Sequence, residues 1–300
     1  MPTVLLLLAC TQEIDTHGTA ALAPLSDDEC PDLTKSGTST FRSSGEDRQV
    51  TVVLPTSPKP GMSVNVYFHG TAFPTDTSTP AADIAARYDV QARADATNTV
   101  WLMPDARVQT LLDTVVVYLW DVMAQDEADV VLFDDLRTCA AQNLDVDLTR
   151  LSAVGFSAGA LWTTVLIGQR ADTLAGDVEL SGGSDAVVPG LDHPFAPYTT
   201  PVTSLPVLMT TGAEGQDVWP TPELVMVDFN AATETLQGKL LADGHFTVRC
   251  RDDEGHVEDD RDWEFATAWT AAQQFGQPSP YETEGLGSEA DWCLASDPGA

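Results

Sequence analysis

The stretch Leu151-Ser-Ala-Val-Gly-Phe-Ser157-Ala-Gly159 decides how the rest of this 300-residue chain is interpreted. Its G-x-S-x-G pattern lies between an apolar run typical of a strand and the run Ala160-Leu-Trp-Thr-Thr-Val-Leu-Ile167, which is typical of a helix. In such a strand–turn–helix the serine occupies a strained turn, and glycines flank it because side chains there would collide with the neighbouring strand and helix. The pattern predicts that Ser157 is a nucleophile; the alternative is a tight structural turn.

Runs typical of strands alternate with helical patterns along the whole middle of the chain. Strands separated by helices of this length pair in parallel, with the helices as crossovers. The sequence therefore predicts one α/β domain over residues 45–276, with a mostly parallel central sheet and helices on both faces. The predicted strands are Gln49–Leu54, Ser63–Phe68, Val100–Met103, Leu151–Gly155, Gly176–Leu180, Leu205–Thr210 and Phe246–Cys250, and the predicted helices are Ala81–Asp95, Asp129–Asn143, Ala158–Gln169, Ala231–Ala242 and Asp262–Phe275.

Two carboxylates compete for the role of the acid that would serve Ser157. A serine hydroxyl needs a base to become nucleophilic, and the base needs an acid to orient it. When a G-x-S-x-G serine lies on a sheet of this kind, the acid and then the histidine follow it in the chain. Asp217 follows the predicted strand Leu205–Thr210 and is the predicted acid, while Glu214 in the same loop is the alternative.

Three histidines follow Ser157 in the chain, and their positions separate them. His193 precedes both candidate acids, so it does not fit the expected order. His245 opens a predicted strand, where a packed or surface imidazole is the simpler interpretation. His256 follows the strand that ends at Cys250 and precedes the last predicted helix, so it is the predicted base.

Backbone N–H groups are expected to stabilise the oxyanion that forms when a serine attacks a carbonyl. One should be the N–H of Ala158, the residue after the nucleophile. The other is expected in the loop after strand Ser63–Phe68, where His69-Gly70 leads to Thr71. The N–H of Thr71 is therefore the second predicted donor, and an ordinary glycine turn is the alternative.

Further segments accompany the G-x-S-x-G pattern over most of residues 48–276: Tyr67-Phe-His-Gly70, Met103-Pro-Asp105, Tyr118-Leu-Trp-Asp121, Asp145-Val-Asp-Leu-Thr-Arg150, Ser181-Gly-Gly183, Ala242-Asp-Gly-His245, and Cys250 ahead of Gly255-His256. Together they resemble the secreted esterase branch of the α/β-hydrolases, which includes polyhydroxybutyrate depolymerases and feruloyl or acetylxylan esterases. The resemblance implies the α/β-hydrolase fold and ester hydrolysis by a serine mechanism with no cofactor and no metal. The chain departs from that pattern by an insertion between Gly212 and Asp217, and by an acidic run after His256.

That acidic run, Asp252-Asp-Glu-Gly-His-Val-Glu-Asp-Asp-Arg-Asp262, is the densest charge cluster of the chain. Carboxylates and imidazole are suitable ligands for calcium or a transition metal. The spacing does not match an EF-hand, however, and no second histidine lies at a metalloprotease distance. We therefore expect a solvated acidic loop that carries His256.

The two ends of the chain differ in composition from its middle. Four leucines followed by Ala9-Cys10 resemble the lipobox of a bacterial lipoprotein signal, although no Lys or Arg precedes them. This predicts a signal over residues 1–10, lipidation of Cys10, and an exported protein that is lipid-anchored in the cell envelope or extracellular. Contact with a membrane is expected only through that anchor. Residues 11–44 are predicted to form a polar tether, and residues 277–300 a loose C-terminal tail.

Four further cysteines remain for disulfide bonding: Cys30, Cys139, Cys250 and Cys293. Export favours bonding because the periplasm and the exterior are oxidising. Four cysteines allow three connectivities, and the sequence does not choose among them. Buried free thiols are the alternative, above all for Cys139 in a predicted helix.

The charge balance of the chain argues against nucleic acid as a partner. With 46 acids against 14 bases, the formal net charge is −32. Nucleic acid is excluded as an expected partner because phosphates are bound by Lys and Arg.

From the candidate site, the family resemblance and the charge together, we predict an exported serine esterase acting on a neutral ester of the polyester or polysaccharide-ester type. The alternatives are a serine peptidase on the same fold and a non-catalytic surface-binding protein that retains the fold.

Overall fold

A nine-stranded sheet organises the chain in a computed structural model, which describes residues 18–27, 29–111 and 114–298. The strands over these described residues are β1 (Gly37–Ser43), β2 (Glu46–Val53), β3 (Met62–Phe68), β4 (Thr99–Pro104), β5 (Arg107–Leu111), β6 (Val115–Leu119), β7 (Val146–Phe156), β8 (Gly176–Leu180), β9 (Val207–Thr211), β10 (Val218–Thr221), β11 (Leu224–Asp228), β12 (Thr247–Arg251) and β13 (Cys293–Ser296). The order across the sheet is β1-β2-β4-β3-β7-β8-β9-β12-β13, and β5–β6 and β10–β11 form two separate hairpins.

The interior of the sheet is parallel and its edges are antiparallel. Strands β4, β3, β7, β8, β9 and β12 pair in parallel. At the edges β1–β2, β2–β4 and β12–β13 pair antiparallel. The carboxyl ends of the parallel strands therefore meet at one edge of the sheet, where ligands bind in open α/β sheets.

Helices cover both faces of the sheet, each over its own hydrophobic core. Successive strand residues point to opposite faces, so Val66 and Phe68 enter one core while Tyr67 enters the other. Helices α3, α4 and α5 contribute to the first core, and α1, α2 and α6 to the second. This confirms the predicted sheet with helices on both faces. The helices are α1 (Pro80–Arg87), α2 (Val90–Thr97), α3 (Ala128–Asn143), α4 (Ala158–Arg170), α5 (Phe229–Ala242), α6 (Asp260–Ala272) and α7 (Pro280–Thr283).

One predicted helix is two helices in the structure. The prediction of a single helix over Ala81–Asp95 is wrong because Asp89 adopts a left-handed conformation, with φ 44°, between α1 and α2. The Asp89 side chain accepts a hydrogen bond from the N–H of Ala92 and caps α2. A short polar side chain that bonds locally is well suited to this conformation.

The described part of residues 11–44, for which a tether was predicted, packs on the domain instead. Strand β1 pairs with β2 along its length, and Leu33 is fully buried. The buried Arg137 of α3 donates hydrogen bonds to the backbone oxygens of Ala20 and Ala21. The tether prediction is therefore corrected for these residues. Polar side chains and backbone groups of this segment form hydrogen bonds with buried polar groups on α3. Composition alone does not show whether such polar residues bond to the protein or to water.

The predicted C-terminal tail also packs on the domain over its described residues. Strand β13 pairs with β12 at the edge of the sheet. The ring of Tyr281 stacks on Trp269 at 5.0 Å between centroids, and Arg261 lies over the ring of Trp292. Aromatic packing fixes this segment, so the loose tail is corrected as well.

The four cysteines form two disulfides, Cys30–Cys139 and Cys250–Cys293. The first joins the N-terminal segment to α3, and the second joins β12 to β13. Cys139 is thus bonded rather than a free thiol. The predicted signal and its lipidation site, Cys10, lie outside the described residues. Among the described residues, no helix is long and apolar enough to cross a membrane.

Candidate active site

Ser157 lies in the turn between β7 and α4, at the carboxyl edge of the sheet. Its backbone is in an unusual conformation for a non-glycine residue, with φ 55° and ψ −120°. A Cβ on Gly155 would lie 2.5 Å from the carbonyl oxygen of Gly159, and one on Gly159 would overlap the carbonyl of Phe68. The two glycines of the G-x-S-x-G pattern are therefore sterically required, and the turn they permit presents Ser157.

The structure brings Ser157, His256 and Asp217 into one hydrogen-bonded chain. His256 Nε2 lies 2.8 Å from Ser157 Oγ, and His256 Nδ1 lies 2.7 Å from Asp217 Oδ1. Asp217 is fully buried, and only 15% of the His256 side chain is exposed. Three residues from the loops after β7, β9 and β12 thus meet at the edge where parallel strands end.

The other residues considered for these roles lie elsewhere. Glu214 is exposed, and its carboxylate faces Arg251 at 3.8 Å. His193 is exposed as well. His245 is buried against the backbone of Leu205, and burial lowers the pKa of its imidazole. Asp217 is therefore the carboxylate that contacts His256.

Asp217 is held by two donors that leave one oxygen for His256. The Ser181 hydroxyl and the N–H of Gly212 each donate to Asp217 Oδ2 at 3.0 Å. Ser181 follows β8 and has φ 52°, a conformation that turns it toward Asp217. Sequence reasoning assigned Ser181 no role, although Ser181-Gly-Gly183 was among the segments behind the family resemblance.

The imidazole of His256 stacks on two phenylalanine rings. The Phe229 ring lies 4.2 Å away at an angle of 7°, and the Phe156 ring lies 5.2 Å away at 20°. The N–H of Phe229 also donates to the Asp217 carbonyl at 3.0 Å. These apolar rings fix the plane of the imidazole and limit its access to water. No motif in the sequence predicts that Phe229, which follows the β10–β11 hairpin, contacts His256.

The loop after β3 runs directly beside Ser157. A Cβ on Gly70 would lie 3.1 Å from the Cβ of Ser157, so only a glycine fits there without displacement. Thr71 follows Gly70 in this loop, and Ala158 begins α4 beside Ser157. Both predicted backbone donors are thus on segments that border the serine.

The buried His69 fixes the conformation of this loop. The N–H of Ala106 donates to His69 Nε2 at 3.0 Å, so that nitrogen is an acceptor. The proton is therefore on Nδ1, which donates to the carbonyl oxygen of Gly70 at 2.6 Å. Burial lowers the pKa of His69 to about 4, so its imidazole is neutral at pH 7.

The acidic run around His256 is only partly solvated. Asp252, Glu258 and Asp262 are buried, and burial raises the pKa of each carboxyl. Asp253 and Asp260 are exposed, as the solvated loop predicted. The expectation is corrected for the three buried carboxyls. Within the part of the chain that the structure describes, no group of three or more His, Cys, Asp or Glu residues is arranged to hold a metal ion.

No family model matches the chain, and no curated protein matches its sequence. Solved structures match it closely in fold. The native crystal structure of pOPH superposes with a TM-score of 0.69 at 18% identity, covering 91% of this chain and 98% of that one. S-formylglutathione hydrolase from Agrobacterium tumefaciens gives 0.55 at 13% identity, covering 78% and 91%. FphF, a fluorophosphonate-binding serine hydrolase of Staphylococcus aureus, gives 0.51 at 14% identity, covering 78% and 97%. The chain has the α/β-hydrolase fold.

Proposed function

We propose that this protein is an exported serine esterase that hydrolyses carboxylic esters. The hydrogen-bonded chain from Asp217 through His256 to Ser157 carries the proposal. The 2.8 Å bond between Ser157 Oγ and His256 Nε2 is within the range for proton transfer from a nucleophile to a base, and the 2.7 Å bond from His256 Nδ1 to Asp217 orients the imidazole. The order nucleophile, acid, base along the chain is also the order of α/β-hydrolases.

The reaction follows from this geometry. Ser157 Oγ attacks the ester carbonyl carbon while His256 Nε2 takes the hydroxyl proton, and Asp217 stabilises the imidazolium that forms. The N–H groups of Thr71 and Ala158 bind the oxyanion of the tetrahedral intermediate. When the intermediate collapses, His256 returns the proton to the departing alcohol. Water then attacks the acyl-serine by the same steps, releasing the acid and restoring Ser157.

The names of similar structures support this assignment. One of them is a fluorophosphonate-binding serine hydrolase, and another is an S-formylglutathione hydrolase. Fluorophosphonates bind covalently to serines that a base has activated. An activated Ser157 should react in the same way.

A neutral, extended ester suits the surface around the site. The net charge of −32 disfavours anionic substrates. Exposed apolar side chains lie on the loops and hairpins that follow β3, β4, β8, β9 and β12 in the chain. These side chains suit a polymeric substrate of the polyester or polysaccharide-ester type. They are Phe73, Val108, Val187, Leu224 and Val257.

Export, with a lipid anchor at Cys10, is part of the proposal. Two disulfides support it because such bonds persist in oxidising compartments. The leucine run ahead of Cys10 supports it from the sequence.

The test combines a fluorophosphonate probe with hydrolysis of p-nitrophenyl butyrate. Wild type should be labelled on Ser157 and should hydrolyse the ester. Ser157→Ala should abolish labelling, and Ser157→Ala or His256→Ala should lower kcat by about 10⁶-fold. Ser204→Ala is the matched control, since Ser204 is exposed at the opposite edge of the sheet. Turnover that survives Ser157→Ala would refute the proposal, and faster cleavage of a peptide than of the ester would favour the peptidase.

A further inference from the structure

Glu258 lies two residues after His256 and is buried, although it belongs to the most acidic segment of the chain. It stands between His256 and Asp259, the residue that caps α6. A carboxylate is costly to bury unless hydrogen bonds compensate it. Hydrogen bonds to the Glu258 carboxyl must therefore compensate the cost of burying it beside the proposed catalytic histidine.

The Glu258 carboxyl receives two hydrogen bonds from different layers of the protein. The Tyr67 hydroxyl of β3 donates to Glu258 Oε2 at 2.9 Å, and the indole N–H of Trp263 donates to the same oxygen at 3.0 Å. The Tyr88 hydroxyl donates to the Glu258 backbone carbonyl at 2.6 Å. The segment after His256 is thus tied to β3, to α6 and to the end of α1.

The three donors form one packed aromatic cluster. The ring centroid of Trp263 lies 4.9 Å from that of Tyr67 and 5.1 Å from that of Tyr88. All three side chains are buried. An apolar residue at position 258 would leave the Tyr67 hydroxyl and the Trp263 N–H unpaired in this interior, which is unfavourable. The cluster therefore requires a hydrogen-bond acceptor at position 258.

The segment before His256 is fixed by different contacts. The N–H of Ala213 donates to the Glu254 carbonyl at 2.7 Å, which ties it to the loop that carries Asp217. Val257, between His256 and Glu258, is exposed. Glu258 is thus the first residue after His256 in the sequence whose side chain is buried.

We propose that Glu258 is a positioning residue that holds His256 at hydrogen-bond distance from both Ser157 and Asp217. This inference rests on the proposed function. Since Tyr67 directly precedes Phe68-His69-Gly70, the same carboxyl ties the histidine loop to the strand that leads to the oxyanion loop. Burial raises the pKa of Glu258 to about 7, while the hydrogen bonds from Tyr67 and Trp263 lower it.

The test compares Glu258→Ala, Glu258→Gln and Tyr67→Phe at pH 8. A displacement of His256 by about 1 Å should lower kcat by about 100-fold in Glu258→Ala, with little change in KM. Glu258→Gln keeps the length and one carbonyl acceptor, so it should recover most of kcat. Tyr67→Phe removes one donor and should lower kcat by about tenfold. Asp253→Asn is the matched control: it removes a charge from the same loop, but from an exposed side chain.

A second readout does not depend on ester turnover. The low-field proton resonance of His256 Nδ1–H reports its hydrogen bond to Asp217, and it should shift or broaden in Glu258→Ala but not in Asp253→Asn. If the wild-type protein shows this resonance but hydrolyses no ester, the proposed function is refuted. The effect of Glu258 on the position of His256 can then still be measured from the resonance. An unchanged resonance and an unchanged kcat in Glu258→Ala would overturn the inference. If Glu258→Ala does not fold, an unchanged Tyr67→Phe would overturn it.

Discussion

Replacing Gly212 by Ala would test how tightly the acid loop and the histidine loop must approach each other. Gly212 follows β9, and its N–H donates to Asp217 Oδ2 at 3.0 Å. A Cβ on Gly212 would lie 2.5 Å from the carbonyl oxygen of Gly255, whereas ordinary contact begins at 3.4 Å. The two loops would therefore have to separate by about 0.9 Å, and Gly255 directly precedes His256. A misplacement of about 1 Å in a catalytic group costs about 100-fold in rate, so we expect kcat to fall by that factor.

Gly238→Ala is the matched control for this prediction. Gly238 lies in α5, where an added Cβ would meet open space, so Ala there should raise the stability of the helix by about 1 kcal/mol without affecting kcat. The assay is steady-state hydrolysis of p-nitrophenyl butyrate, with thermal unfolding to verify that both variants are folded. A folded Gly212→Ala enzyme with kcat within about threefold of wild type would refute the reasoning, since the loops would then tolerate the separation.

Two further predictions concern stability. Cys30–Cys139 closes a separation of 109 residues and Cys250–Cys293 one of 43, so replacing each pair by serines should lower the free energy of unfolding by about 5 and about 4 kcal/mol, respectively. Urea unfolding would measure this, and a pair whose loss changes nothing would show that it does not constrain the unfolded chain. Burial raises the pKa of Glu179 and of the neighbouring Asp177 above their ordinary values, so the folded state binds protons on this pair more tightly than the unfolded state. The contribution of this pair to stability should be fully present at acidic pH and be lost as pH rises through the raised pKa values. Glu179→Gln should make the free energy of unfolding fall less steeply with pH, with the remaining dependence due to Asp177. A melting profile with the same slope in wild type and Glu179→Gln would contradict this assignment.

The sequence predicted the sheet interior well because its strands are short, apolar and separated by helices. The same reasoning placed Ser157, Asp217 and His256 on three loops that the parallel topology brings to one edge. The sequence did not predict β1 or β13. Both are edge strands with several exposed side chains, so their polar sequence was interpreted as an unstructured tether or tail. It assigned no role to Phe229 or Glu258, because stacking on an imidazole and burial of a carboxyl depend on tertiary contacts that no local pattern encodes.

The hydrogen bond from His69 to Gly70 has a thermodynamic consequence for the proposed reaction. In a trans peptide the C=O and the following N–H point in opposite directions, so fixing the Gly70 carbonyl also fixes the direction of the Thr71 N–H. Because His69 is buried and neutral at pH 7, this bond is in place before any substrate arrives. The donor dipole is thus oriented during folding, and the reorganisation that water would need around a nascent negative charge is avoided at the moment of bond formation.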